Sequence, residues 1–583
     1  MNILKGKPIY STKYIIEKEN KQIFEEEITK QEVVNQIKNM KKKKAPGEDK
    51  IKNEVWINAN EVIIDKITKI INKIWRGEEN MPDRWRLALI SPIYKKGNPN
   101  QAENYRGISL LDTLYKIYAG ILNDKLLHDL EENNALPETQ AGFRSKRSTI
   151  DNIYLLHQVA EREIKRKKGK LFVMFADLKA AFDCLDREIL WKTLEKLNIN
   201  EQLRVRIQEI YKNTRCAVKI GSTISEEFMT TQGVRQGCPL SSTLFISYLS
   251  DLEETMKKAQ NGGLVIGKTK FWTLAYADDI AIVANEKKEL QEMIKTFKKY
   301  LERKRMTLNV DKSKVLVFRK GGGRDVKRTW LWGKEKLGEV KEFCYLGYHF
   351  QRNNKHLTHI KKLTTKAMRA MKQTWSIGER KFKQNFKIRS TMFEALVQSI
   401  LTYGAELWGW QEFEMLEKIQ TQYFKWCLGL KREVPNYLIL EEVKRRKIRV
   451  ITGQRSVNYE KTIRKNENKT LLIECIKEMD RRNEINEGTS WDSMRTKYFE
   501  RNGFSVTRMN ELLYNEPKIT QILTTNDEDN QKQQQYKRIL ASNYNKNYKL
   551  LMKPGLPFYL HRTNTNIKEI AKRRCEGNRY WET

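Results

Sequence analysis

The sequence predicts an α+β protein with more than one core. Three observations carry that expectation. Between about residues 80 and 350, helical periods alternate with short apolar runs. Two of those runs, "LFVMFADL" and "TLAYADDIAIVA", have the compact form of buried strands, yet both contain acids. From 360 onward the pattern turns helical, and 360–450 holds 19 Lys and Arg against 9 Asp and Glu. A chain of 583 residues has room for three or four domains.

Residues 1–75 form a polar N-terminal extension. Its "ITKQEVVNQIKNMKKKK" has a helical pattern, and Pro46-Gly47 of "APGEDK" marks a turn. Residues 76–352 form the mixed body. There "DREILWKTLEKLNI" sets Leu190, Leu194 and Leu197 at helical spacing behind Asp186, a suitable N-cap. "KSKVLVFRKGGGRD" reads as a strand ending in a glycine-rich turn. Its Gly321-Gly322-Gly323 lacks both GxGxxG and GxxxxGK spacing, so it receives no nucleotide-binding role. Residues 353–450 form a basic helical domain in which Leu416, Ile419, Tyr423 and Trp426 share one helix face, predicted as core. Residues 451–583 are mostly helical, with a polar linker near 524–535, "TTNDEDNQKQQQ".

Composition narrows the partners. Lys and Arg number 111 against 73 Asp and Glu, a net charge of +38 with pI ≈ 9.7. A field of that size attracts polyanions, of which nucleic acid is the commonest. Thirteen Trp and 24 Tyr add rings able to stack on bases. The seven cysteines are scattered without a CxxC pair, against both a disulfide framework and a zinc site. The six histidines form no HExxH, and His356 and His359 read as surface residues. No apolar run approaches the ~18 residues of a membrane span, and the N-terminus lacks the apolar segment of a signal peptide.

The acids in the apolar runs carry the chemistry. Asp177 ends one run, and Asp278 and Asp279 lie in another that begins about a hundred residues later. Buried carboxylates need a cation or a metal to balance them. Two acids brought together from different strands make an oxygen-ligand site, which favours Mg²⁺. Two such ions suit phosphoryl transfer.

Eight segments in one order now point to a family. "FADLKAAFD" (175–183), "GVRQGCPLSSTLF" (233–245), "YADD" (276–279), "LNVDKSK" (308–314) and "FCYLGY" (343–348) resemble the palm motifs of reverse transcriptases. "APGEDKI", "LISPIYKKGNPNQAENYRGISLLDTLYKI" and "QAGFRSKRSTIDNI" resemble finger motifs of the non-LTR (LINE-type) retrotransposon branch. The resemblance spans about 40–430 and implies a right-hand polymerase: fingers and palm over 76–352, with an antiparallel palm sheet, and a helical thumb over 353–450. It implies an enzyme that extends a DNA 3′-end on an RNA template from dNTPs, with two Mg²⁺ ions.

Residue by residue, the resemblance makes Asp177 and Asp278 metal ligands and Asp279 their companion acid. Phe182 would lie beneath the incoming sugar and crowd a 2′-hydroxyl. Gln236 and Gly237 would line the nucleotide pocket, with Lys95 or Lys96 and Arg106 holding the triphosphate. Lys312 would stand near the leaving pyrophosphate as a general acid, its neighbour Lys314 being the alternative. Tyr345, Leu346 and Gly347 would form the hairpin that positions the primer end.

There are departures from the family pattern. The motif around Gln236 reads Leu240-Ser241-Ser242 where Leu-Ser-Pro is usual, a change expected to be modest. Only a short approach precedes the fingers, where relatives usually carry an endonuclease, and "RTNTNIKEIAKRRCEGNRYWET" resembles the lead-in to a zinc knuckle. The chain is therefore expected to be a polymerase core that extends a supplied primer without nicking a target. The alternatives are a catalytically silent nucleic-acid-binding remnant and a group II intron maturase; "APGEDKI" and "LTYGAELWGW" disfavour the latter. A chromosomal DNA substrate would imply nuclear location.

Overall fold

The computed structural model describes residues 27–321, 328–485, 487–562 and 566–576. Gly322 and Gly323, the first 26 residues of the extension and much of the C-terminal lead-in therefore lie outside the described residues. In chain order the strands are β1 (Leu87–Tyr94), β2 (Tyr105–Leu110), β3 (Lys170–Ala176), β4 (Arg215–Ile220), β5 (Thr223–Ile224), β6 (Phe228–Met229), β7 (Leu264–Ile266) and β8 (Thr269–Phe271). They continue as β9 (Thr273–Tyr276), β10 (Asp279–Ala284), β11 (Lys314–Arg319), β12 (Trp330–Trp332), β13 (Glu335–Val340), β14 (Glu342–Tyr345) and β15 (Tyr348–Gln351).

One sheet, of order β2-β1-β4-β5 with β6 also on β4, lies where the fingers are expected. A second, β12-β13-β11-β3-β10-β9, lies where the palm is expected. Its centre is antiparallel, as expected, and β13 joins β11 in parallel.

The central strands β3, β10 and β11 are apolar between their ends because both faces are covered. Leu171, Val173 and Phe175 of β3 join Ala281, Val283, Leu316 and Phe318 in one core. The alternate residues Phe172, Met174, Ala176, Ile280, Ile282, Val315 and Val317 belong to another. A period of two thus divides one apolar run between two cores.

Helix starts follow their side chains. Thr29 and Glu32 form a capping box at Lys30–Asn39, and Ser148 and Asp151 form another at Thr149–Lys165. Asp186 caps Arg187–Lys196, as predicted, and Leu190 and Leu194 are buried beneath it. Leu416, Ile419 and Tyr423 are core residues, also as predicted.

The expected divisions at 75/76 and 450/451 both fall inside helices, Glu61–Arg76 and Ile448–Lys465. Ile71, Ile74 and Trp75 share a core with Tyr115 and Leu203, so the N-terminal helices are continuous with the fingers. The segment expected as a linker at 524–535 lies within the helix Ile519–Leu540. Its Asp527, Gln531 and Gln535 are buried and paired internally, while Asp529, Lys532, Gln533 and Gln534 face solvent. Asp527 lies 2.6 Å from Arg449, and Gln531 accepts from the Lys447 amide at 2.7 Å while donating to the Arg445 carbonyl at 3.1 Å.

His356 and His359 are buried, contrary to their reading as surface. The His356 ring stacks on His157 with centroids 4.7 Å apart and shares a 2.7 Å hydrogen bond with the Tyr348 hydroxyl. His359 stacks on Tyr348 at 4.1 Å and reaches the Tyr403 carbonyl at 3.0 Å. Stacking and hydrogen bonding together offset the loss of hydration that burial imposes.

Candidate active site

Strands β9 and β10 form a hairpin in which Tyr276 faces Asp279, leaving Ala277 and Asp278 as its turn. "YADD" is therefore a bend, not the middle of a strand. Ala277 takes φ 57°, a left-handed conformation costly for a residue with a Cβ. Buried Gln140 holds it, its Oε1 accepting the Ala277 amide at 3.0 Å and the Gly142 amide at 2.9 Å. Gly142 passes so close that a Cβ there would stand 2.4 Å from the Ala277 nitrogen. Only glycine fits.

Asp177 arrives at the same end of the sheet because β3 pairs with β10, Ala176 facing Ile280. The loop after Leu308 wraps the strand end. The Asp177 amide donates to Ser313 Oγ at 3.0 Å, and its carbonyl accepts from the Asn309 amide at 2.8 Å. That loop brings Lys312 Nζ to 3.5 Å from Asp177 Oδ2. Lys314 instead donates to the Asp311 carbonyl and lies over Gly338.

The carboxylates repel one another. Loss of hydration raises Asp278, the charge of Asp177 adds to the rise, and Arg106 and Lys95 oppose it. Asp279 is pushed up to about 6 by loss of hydration and then by the charges of Asp278 and Asp177. On β10 it falls on the face of Ala281, towards Cys344 and Tyr345, both of which feel its charge.

The finger residues face these acids. Lys95 is lowered by loss of hydration and then by Arg106 and Lys312, against the pull of Asp183 and Asp177. Both candidate lysines are exposed, and Lys95 is the one shown to feel the charges of Arg106, Lys312, Asp183 and Asp177. Gln236 Nε2 lies 3.0 Å from both oxygens of Asp183, and its carbonyl accepts the Ser109 amide at 2.7 Å. Gly237, at φ 120°, passes under strand β2, where a Cβ would stand 2.8 Å from the Ser109 carbonyl oxygen. Phe182 stacks on Phe245 at 4.8 Å, half-buried beside Asp183. A largely apolar cleft of about 830 Å³ opens beside Ser109, Asp183 and Gln236 towards β4 and β6.

Tyr345, Leu346 and Gly347 do form a hairpin, between β14 and β15. Tyr345 is buried and donates to the Leu274 carbonyl at 3.0 Å, which ties the hairpin to the strand before "YADD". Phe343 stacks on Phe175 at 4.3 Å.

Three site residues escaped sequence reasoning: Gln140, Gly142 and Asp183. All lie within quoted motifs, "QAGFRSKRSTIDNI" and "FADLKAAFD", but their contacts join segments far apart in the chain.

The donor set suits one metal chemistry. Among the described residues no three His, Cys, Asp or Glu side chains come together in a group that could hold a metal ion. Asp177 and Asp278 offer two mutually repelling carboxylates, and Mg²⁺ is commonly bound by one or two carboxylates with substrate phosphates completing its shell. Among the described residues no helix is long and apolar enough to cross a membrane.

Comparison with known proteins agrees with this geometry. Residues 93–350 match the family described as reverse transcriptase (RNA-dependent DNA polymerase). The chain is 26% identical over 388 residues to the probable RNA-directed DNA polymerase from transposon BS of Drosophila melanogaster, covering 65% of this chain and 42% of that protein. It is 26% identical over 436 residues to the corresponding X-element protein of the same fly, covering 71% and 45%. The chain thus spans less than half the length of these relatives. A solved apo telomerase from Candida tropicalis aligns at TM-score 0.34 and 15% identity over 52% of this chain and 60% of that one, too slight a likeness to argue from. The motifs, the sheet geometry and the family match agree, and residues 93–350 are similar to a reverse transcriptase domain.

Proposed function

We propose that the chain is an RNA-directed DNA polymerase that extends a DNA 3′-end on an RNA template. One observation carries the reading: β3 pairs with β10, so Asp177 at the end of the one and Asp278 in the turn before the other lie at the same end of the sheet. There the charge of Asp177 helps raise Asp278, and Lys312 Nζ stands 3.5 Å from Asp177 Oδ2. That is an arrangement for holding a triphosphate against a hydroxyl.

Arg106 and Lys95 grip phosphate oxygens, and Lys312 donates a proton towards the leaving pyrophosphate. Gln236 and Gly237 bound the nucleotide pocket, and Phe182, braced by Phe245, excludes a 2′-hydroxyl. The hairpin of Tyr345, Leu346 and Gly347 orients the primer end. Asp177 and Asp278, with Asp279 as companion, would hold two Mg²⁺ ions, which supply the positive charge that acidifies the 3′-hydroxyl and offsets charge on the leaving group. Exposed Lys361, Lys362, Lys366, Arg369 and Lys372 of the helix Leu357–Lys381 grip the template–primer duplex through phosphates, in a salt-dependent manner. Nuclear residence follows if the primer is chromosomal.

The test is primer extension on an RNA template with Mg²⁺, first with dNTPs and then with rNTPs. Wild type should extend with dNTPs alone, and Asp278→Asn should bind the same primer–template without extending it. Binding without extension by wild type would leave a silent nucleic-acid-binding remnant.

A further inference from the structure

"LTYGAELWGW" (401–410) has no part in the roles above, yet its Tyr403 reaches the primer hairpin. The hairpin turn is Leu346-Gly347, with φ 49° and 83°. Two-residue hairpin turns with positive φ at both positions favour Asn, Asp or Gly at the first. Leucine there is strained and persists only where its surroundings hold it.

Tyr403 supplies that hold. Its hydroxyl donates to the Leu346 carbonyl, with Thr149 Oγ1 at 3.5 Å on its other side. Its ring covers Gly347 so closely that a Cβ there would stand 3.2 Å from it. Gly404, at φ 73°, turns the chain beneath the Tyr348 ring, where a Cβ would stand 3.0 Å away.

The segment is fixed from behind by the helix Ile448–Lys465. Arg455 reaches Thr402 Oγ1 at 2.9 Å and Glu406 Oε1 at 2.8 Å, and Ser456 Oγ donates to the Ala405 carbonyl at 2.8 Å. The turn itself adjoins the acids, since Cys344 and Tyr345 feel the charge of Asp279.

We infer that Tyr403 is a positioning residue for the primer end, locking the Leu346-Gly347 turn and so coupling the helix Ile448–Lys465 to the reacting centre. This rests on the polymerase reading and on the hairpin's role in it.

The test compares wild type with Tyr403→Phe, which keeps the ring and loses the hydroxyl, and with Gly347→Ala, which displaces the ring. Single-nucleotide addition is measured on matched and mismatched primer ends, alongside the KM for dNTP and thermal unfolding. Tyr403→Phe should slow maximal addition about fivefold, the worth of one hydrogen bond. It should also narrow the preference for matched ends, with KM for dNTP and melting temperature unchanged. Gly347→Ala should show the same kinetic split, with a lowered melting temperature because alanine is strained at φ 83°. Addition at the wild-type rate by Tyr403→Phe overturns the inference. So does a loss in that variant shared equally with dNTP affinity and melting temperature, which would mark a structural residue. If folded wild type adds no nucleotide at all, it is the polymerase reading that falls, and this inference falls with it.

Discussion

Gln140 Oε1 accepts the Ala277 amide across 3.0 Å, so a residue 138 positions before Asp278 fixes the turn that presents it. Gln140→Leu would leave the Ala277 and Gly142 amides without their acceptor in a buried place. We expect a loss of about 1–3 kcal/mol in urea unfolding. Primer extension should fall by at least about tenfold, because small displacements of reacting groups are costly. Unchanged extension in this variant would show that the turn holds itself.

The acid cluster sets a pH dependence. Asp279 is raised to about 6, above its ordinary value, and Asp278 is raised as well. A raised carboxylate favours the folded state fully below its unfolded value, and that stability is lost as pH rises through the folded value. The metal-free protein should therefore lose this contribution between about pH 4 and 6. Mg²⁺ should restore it only where the acids are ionised. Thermal unfolding with and without Mg²⁺ should show a stabilisation that grows from pH 5 to pH 7.5 and vanishes in a double Asp177→Asn, Asp278→Asn variant.

Lys312 and Lys314 separate cleanly. Lys312 Nζ stands 3.5 Å from Asp177 Oδ2, whereas Lys314 is engaged with the Asp311 carbonyl. Lys312→Ala should lower the maximal extension rate by about 10²-fold, within the range of a lost general acid. Lys314→Ala should change it by less than about threefold, short of that range. Pre-steady-state nucleotide addition distinguishes them, and equal losses would reject the assignment.

Lys469 and Asp151, 318 residues apart, form a 2.8 Å ion pair with side chains only 5% and 3% exposed. The Tyr459 hydroxyl also donates to Asp151 at 2.9 Å. Lys469→Met should destabilise the chain by about 3–5 kcal/mol, because it strands a buried carboxylate. Adding Asp151→Asn should recover part of that loss in chemical denaturation.

Much of the palm was legible in the sequence because its signals are local. Apolar runs of strand length, acids at their ends and Asp186 before a helical period each report on their own few residues. What could not be read depends on partners distant in sequence. The 524–535 helix looked solvated because Asp527 and Gln531 are polar, and only Arg449, Arg445 and Lys447 across the interface show them to be internal. His356 and His359 looked exposed for the same reason, since Tyr348 and His157 are what cover them. Lys95 and Lys96 are indistinguishable as letters, and the fold separates them by bringing Lys95 to Asp183.

The long reach from Asp151 to Lys469 also bears on how the protein is made. A chain emerging from the ribosome completes the fingers, palm and basic helices before the lysine that neutralises Asp151 has been synthesised. Until then Asp151, in the first turn of the helix Thr149–Lys165, has its Ser148 capping partner but no cation, and the nascent palm is poorly sealed. Chains that stop before Lys469 would therefore be unstable products that are degraded rather than partly active enzymes.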